Sequence, residues 1–265
     1  MEYFWYVIAA LGAGVSTGLV GLSAAAVMVP ILIVLCPSFA LAENGAFQAT
    51  AIALASDVLA SIVSSLIYIR HKNIDLKRSW LMILCIVAMS IVGSIIASTI
   101  HNVALGTFSL ALCVFIGVRF IIQPDPKSKR LVPKGAKLDK KAIAISLLFG
   151  LGIGFIIGFV GTGGGLMMLL VFTVFLGMER KAAVGTSTFI MAITALIAFG
   201  SHAVIETDIL LERWDVVLIC SSVATFGSIV SAQFANKVNN KVVGIVTGII
   251  LTALGITLLI LNFAT

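Results

Sequence analysis

The 265-residue chain is 60% hydrophobic and only 11% charged, with a mean hydropathy of +1.19. A soluble domain carries roughly a quarter charged residues, so this composition excludes a soluble globular fold and marks an all-α polytopic membrane protein. The net charge of +6 does not point to nucleic acid, because seven of the 17 basic residues lie in one short loop between apolar segments, "PDPKSKRLVPKGAKLDKK" (124–141). Such clusters hold a loop on the cytoplasmic side of a membrane.

The N-terminus, "MEYFWYVIAA", has no basic n-region and no A-x-A-like site, so no cleaved signal peptide is expected. Tyr3, Trp5 and Tyr6 suit an interfacial anchor. Apolar segments follow at 3–36, 45–69, 79–100, 103–122, 142–177, 182–205, 214–235 and 242–263. A helix needs about 20 residues to cross the hydrocarbon core. Six segments fit that length; the first and fifth are too long, and each carries glycines near its middle. Cys36, Cys85, Cys113 and Cys220 are scattered singly, with no C-x-x-C or Cys/His spacing, so neither a disulfide framework nor a metal site is expected.

The two long segments are copies of each other. Shifted by 140, "LGAGVSTGLVG" (11–21) overlays "LGIGFIIGFVG" (151–161). Further along, Thr50 corresponds to Thr186, and Trp80, Gly93, Ser94 and Asn102 correspond to Trp214, Gly227, Ser228 and Asn236. The chain therefore reads as a tandem duplication: a first transmembrane repeat (1–123), a basic cytoplasmic linker (124–141) and a second repeat (142–265), together forming one integrated membrane domain.

Charge sets the expected topology. If both long segments are hairpins that enter and leave on one side, 16 of the 17 basic residues fall on the cytoplasmic side and only Arg213 falls outside. If both cross once, Arg180, Lys181, Lys237 and Lys241 move outside. The positive-inside rule favours the hairpins. The expected fold is two inverted repeats, each a glycine-broken re-entrant helical hairpin plus three transmembrane helices, with both chain ends outside. Irregular backbone at membrane depth is tolerated where it lines a cavity or is buried in protein. Gly14, Gly18, Gly154 and Gly158 have the spacing of close helix contacts instead.

The turn "GFVGTGGGLMMLL" (158–170), the following "KAAVGTS" (181–187), and the degenerate first-half copy "GLVGLSAAAVMVP" with "YIRHKNIDLKRSW" resemble the TauE/SafE sulfite exporter family, also called the toluene sulfonate uptake permeases. The resemblance covers nearly the whole chain. It implies a secondary transporter of small anions, notably sulfite and organosulfonates, in the bacterial inner membrane. The first half departs from the glycine pattern, with Ser23, Ala24 and Ala25 where the second has Gly163, Gly164 and Gly165.

A helix that starts inside the membrane presents unpaired N–H groups and roughly +0.5 charge at its N-terminus. Inverted halves bring two such starts together, near Ser23 and near Gly163, as an anion site without a fixed cation. The candidate substrate-binding residues are Ser23, Ala24, Gln48, Thr50, Thr162, Gly163, Gly164, Gly165, Thr186 and Ser187, with Thr17 nearby. For each hydroxyl the competing role is a bond to its own helix carbonyl. Asp57 is the one acid well inside a crossing and a candidate for proton coupling; the competing role is a structural acid bonded to serines or to a helix start. The expected partners are a small anion and the lipid bilayer, with a homodimer open as the assembly, and no nucleic acid, metal or cofactor. No H-E-x-x-H, G-x-S-x-G or paired-acid motif supports an enzyme. An anion channel, or a carrier for another small ion including an inorganic cation, is the alternative.

Overall fold

The computed structural model describes residues 2–41, 45–97, 114–115, 117–122, 135, 137–160, 164–205 and 213–264. Those residues form helices without strands. In chain order they are α1 (Glu2–Val20), α2 (Ala24–Leu35), α3 (Pro37–Ala40), α4 (Gly45–Arg70), α5 (Leu76–Ala97), α6 (Lys140–Val160), α7 (Gly164–Leu170), α8 (Arg180–Ile205), α9 (Trp214–Lys237) and α10 (Asn240–Ala264). A π-turn, Val171–Phe175, continues α7. Six of the helices are long and apolar enough to cross a membrane. Their outer faces are apolar as well: Leu148 is 72% exposed, Phe226 64% and Leu84 59%. Water would penalise such a surface, whereas hydrocarbon accommodates it.

The first long apolar segment is interrupted at Gly21. The helix α1 stops because Gly21 adopts φ +66°, a left-handed conformation in which glycine pays no Cβ penalty. The Gly21 N–H donates to Thr17 O at 2.9 Å. The Thr17 hydroxyl lies 2.9 Å from Ala13 O and 2.8 Å from Leu22 O, bridging the last turn to the break. The chain restarts as α2 with Ser23 at the N-cap. In the second half α6 ends at Val160 and α7 begins at Gly164; the expected break, with Thr162 and Gly163, lies outside the described residues.

Residues distant in sequence meet across the first break. The Tyr6 hydroxyl is 3.0 Å from Ser38 Oγ, and the Ser38 amide donates to the Glu2 carboxylate at 3.1 Å. In the second half, the rings of Phe149 on α6 and Phe175 at the end of the π-turn lie 4.8 Å apart.

Packing between the halves is reciprocal. The helix α1 runs along α9, and α6 runs along α5, while α4 and α8 pack on each other. Small residues make these approaches close. A Cβ at Gly14 would overlap the backbone of Ala224, and one at Gly18 the Ser228 carbonyl. The same holds for Gly154 at Ile86 and Gly158 at Ser90. These four glycines therefore serve helix contact, as their spacing indicated.

Candidate functional site

A cavity lies beside the starts of α2 and α7. Ser23 borders it at the start of α2, Leu54 and Asp57 from α4, Ile157 from α6, Gly164 at the start of α7, and Met191, Thr194, Ala195 and Ala198 from α8. The four α8 residues recur at helical spacing, one face turned to the cavity. Leu54 and Asp57, three apart, share a face of α4 in the same way.

Asp57 is 1% exposed. Its Oδ2 accepts a hydrogen bond from Ser23 Oγ at 2.6 Å, within the range of a charge-assisted or acid–hydroxyl bond. Ser23 occupies the N-cap position, yet its side chain makes no cap bond to its own helix; the hydroxyl is committed to Asp57 instead. The Ala24 amide, at the start of α2, also points its N–H toward this carboxyl, while Oδ1 is buried and makes no hydrogen bond among the described residues. Asp57 is thus bonded to a serine and placed at a helix start, as the structural alternative anticipated, while also lining a cavity. The backbone carbonyl of Asp57 accepts from Ser61 Oγ.

The end of α1 and the first turn of α7 touch. A Cβ at Gly165 would overlap the Gly21 carbonyl oxygen, and one at Gly21 would overlap Ser187 Oγ. Ser187 donates to Val184 O at 2.9 Å, so it supports the first-half break rather than the cavity lining. Thr186 is fully buried, donates to Ala182 O at 2.6 Å, and accepts from the Asp75 amide at 3.1 Å. It joins α8 to the loop before α5. There the Asp75 carboxylate caps α5 through the Arg78 amide (3.2 Å) and accepts from the Gly135 amide (3.0 Å). Gln48 and Thr50 precede Asp57 by nine and seven residues on α4, which places them about 10–14 Å away along the axis; neither lines the cavity. Ala24 is fully buried in the first turn of α2.

Of the expected residues, then, the structure brings Ser23, Gly164 and Asp57 to one cavity, with Ala24 and Gly165 immediately beside it. It distributes Gln48, Thr50, Thr186 and Ser187 elsewhere. Sequence reasoning missed Leu54, Ile157, Met191, Thr194, Ala195 and Ala198, although the i, i+3, i+4, i+7 pattern on α8 was available to it.

The sulfite exporter TauE/SafE family profile matches residues 6–258, almost the full length. The chain belongs to the sulfite exporter TauE/SafE family. One relative of this TauE/SafE protein is the "probable membrane transporter protein YunE" of Bacillus subtilis (strain 168), 24% identical over 271 residues that cover 98% of each chain. The TauE/SafE chain is a multi-pass membrane protein of a transporter family, not an enzyme.

Proposed function

We propose that this chain is a secondary carrier of small anions, sulfite and organosulfonates among them, across the bacterial inner membrane. The observation that carries this reading is the cavity shared by Ser23 and Gly164, the residues at which two interrupted segments from opposite halves resume as helices. The anion sits between these starts near the midplane, and Asp57 serves as the coupling acid. The direction of net movement follows the gradients, so a cell that produces the anion internally exports it.

The proposed architecture is two inverted repeats, each with a re-entrant hairpin. Three observations support it: Tyr6 and Glu2 meet Ser38 across the first break, Phe149 meets Phe175 in the second half, and the halves pack reciprocally. In this arrangement both termini lie outside and the basic linker lies in the cytoplasm, which the distribution of Lys and Arg favours.

Thermal unfolding of the purified protein with sulfite, methanesulfonate, sodium and potassium tests the reading. A ligand at 100 times its Kd stabilises by about 2.7 kcal/mol, so the binding anion raises the midpoint while sodium and potassium do not. The Asp57 Oδ1, without a hydrogen bond among the described residues, favours one second reading, a cation carrier; stabilisation by a cation alone would select it.

A further inference from the structure

We propose that the Asp57 carboxylate is an internal anion occupying the first-half end of the cavity, so that the site accepts a monovalent anion only together with one proton. This rests on the cavity being the anion site, and it adds the stoichiometry and the means of exclusion.

Three observations lead there. First, Ser23 stands where a bound oxyanion would look for a hydroxyl donor, and that donor already serves Asp57 Oδ2 at 2.6 Å. Second, Asp57 is 1% exposed, lines the cavity, and keeps Oδ1 without a donor among the described residues. A buried carboxylate oxygen without a partner is costly when charged and harmless when protonated, because the acid form then supplies a donor. Third, among the described residues no positive side chain lines the cavity to balance it: that lining holds no Lys, Arg or His.

The elements packed against α4 place their titratable groups at helix ends or away from the lining. The helix α1 brings Glu2, Tyr3 and Tyr6, engaged with Ser38 and Asp215. The helices α2 and α3 bring none, with Cys36 between them. The helix α8 begins with Arg180 and Lys181, about 16 Å along the axis from Met191, and also carries His202, whose side chain lies outside the described residues. The helix α9 brings Asp215, Cys220 and Lys237. On α4 itself, Tyr68 donates to Gly18 O, and Arg70 ends the helix.

Two negative charges about 4 Å apart in such surroundings oppose each other by roughly a thousand-fold in a binding constant. The ionised carboxylate therefore excludes the anion. Protonation removes that charge and turns Asp57 into a donor for the incoming oxyanion. The balance is one proton taken up on Asp57 for each anion bound and one released with it, with no net charge moved. By linkage, the anion raises proton affinity by the factor with which the proton raises anion affinity. The carrier moves anion outward whenever the internal anion excess exceeds the pH difference.

Calorimetric titration of the purified full-length protein with methanesulfonate, a monoanion throughout the range, tests this. Titrations run from pH 5 to 9 in buffers of different ionisation enthalpy. The expected result is a wild-type affinity that falls tenfold per pH unit above a midpoint, with uptake approaching one proton per anion there. Asp57→Asn binds with pH-independent affinity and no proton uptake. Ser23→Ala, which removes a hydroxyl donor but no titratable group, keeps the one-proton slope. A flat wild-type profile, or an unchanged slope in Asp57→Asn, overturns the inference while leaving the anion site standing. Absence of methanesulfonate binding in every variant at every pH overturns the anion-site reading itself, and this inference with it.

Discussion

Gly165 rests against the carbonyl oxygen of Gly21, so closely that a Cβ at position 165 would overlap that oxygen. One residue opens a helix in the second half and the other closes a helix in the first. The contact holds the first turn of α7 against the end of α1. A backbone carbonyl in a left-handed turn has little room to move, since Gly21 is itself pressed against Ser187.

Gly165→Ala is therefore expected to destabilise the protein by about 1–3 kcal/mol, the usual range for overpacking, and to impair transport. Gly152→Ala is the matched control: a Cβ there meets nothing within 4 Å. It sits within α6 and should be neutral or stabilising by up to about 1 kcal/mol. Thermal unfolding in detergent compares the two, and equal midpoints would remove the contact from the account.

Gly164 asks for a different substitution. The nearest atoms to a Cβ there belong to the Ile157 side chain, whose Cγ1 and Cδ1 it would overlap; a side chain, unlike a backbone carbonyl, can change rotamer to make room. Gly164→Ala should fold and keep part of its transport. Gly164→Leu should fill the cavity and lower anion flux by at least tenfold while the protein stays folded in the membrane. Wild-type flux in Gly164→Leu would mean that the substrate passes elsewhere.

Topology rests on charge and on contacts within each half. Lys137 and Glu179 are both exposed, one at the end of the basic linker and the other just before α8. Single cysteines at these positions, each in a background without the native cysteines, should both be protected from an impermeant thiol reagent in intact cells and both react after permeabilisation. Labelling of only one from outside would contradict the inverted arrangement.

The sequence carried the end of α1 at Gly21 and the glycine contacts because both depend on local rules. A glycine with positive φ ends a helix, and small residues four apart let helices meet. Ser23 and Gly164 were legible for the same reason, since each stands at a helix start. Thr186 and Ser187 illustrate the limit. As hydroxyls in a repeat motif they looked equivalent to Ser23, but tertiary packing turned Thr186 to the Asp75 amide and Ser187 to Gly21. The apolar lining from α8 was visible as periodicity, yet nothing local says which face of a helix apolar all round meets a cavity. The pairing of Ser23 with Asp57 spans 34 residues, and only the docking of α2 on α4 creates it.

The central claim is that an anion and a proton share the cavity through Asp57. The most direct measurement is methanesulfonate accumulation in reconstituted vesicles with an imposed pH gradient, acidic outside. Wild-type protein should concentrate the anion in the alkaline interior. Asp57→Asn should lose that accumulation yet still exchange internal for external anion, because exchange needs no net proton movement. Undiminished pH-driven accumulation by Asp57→Asn would contradict the claim and return Asp57 to a structural role.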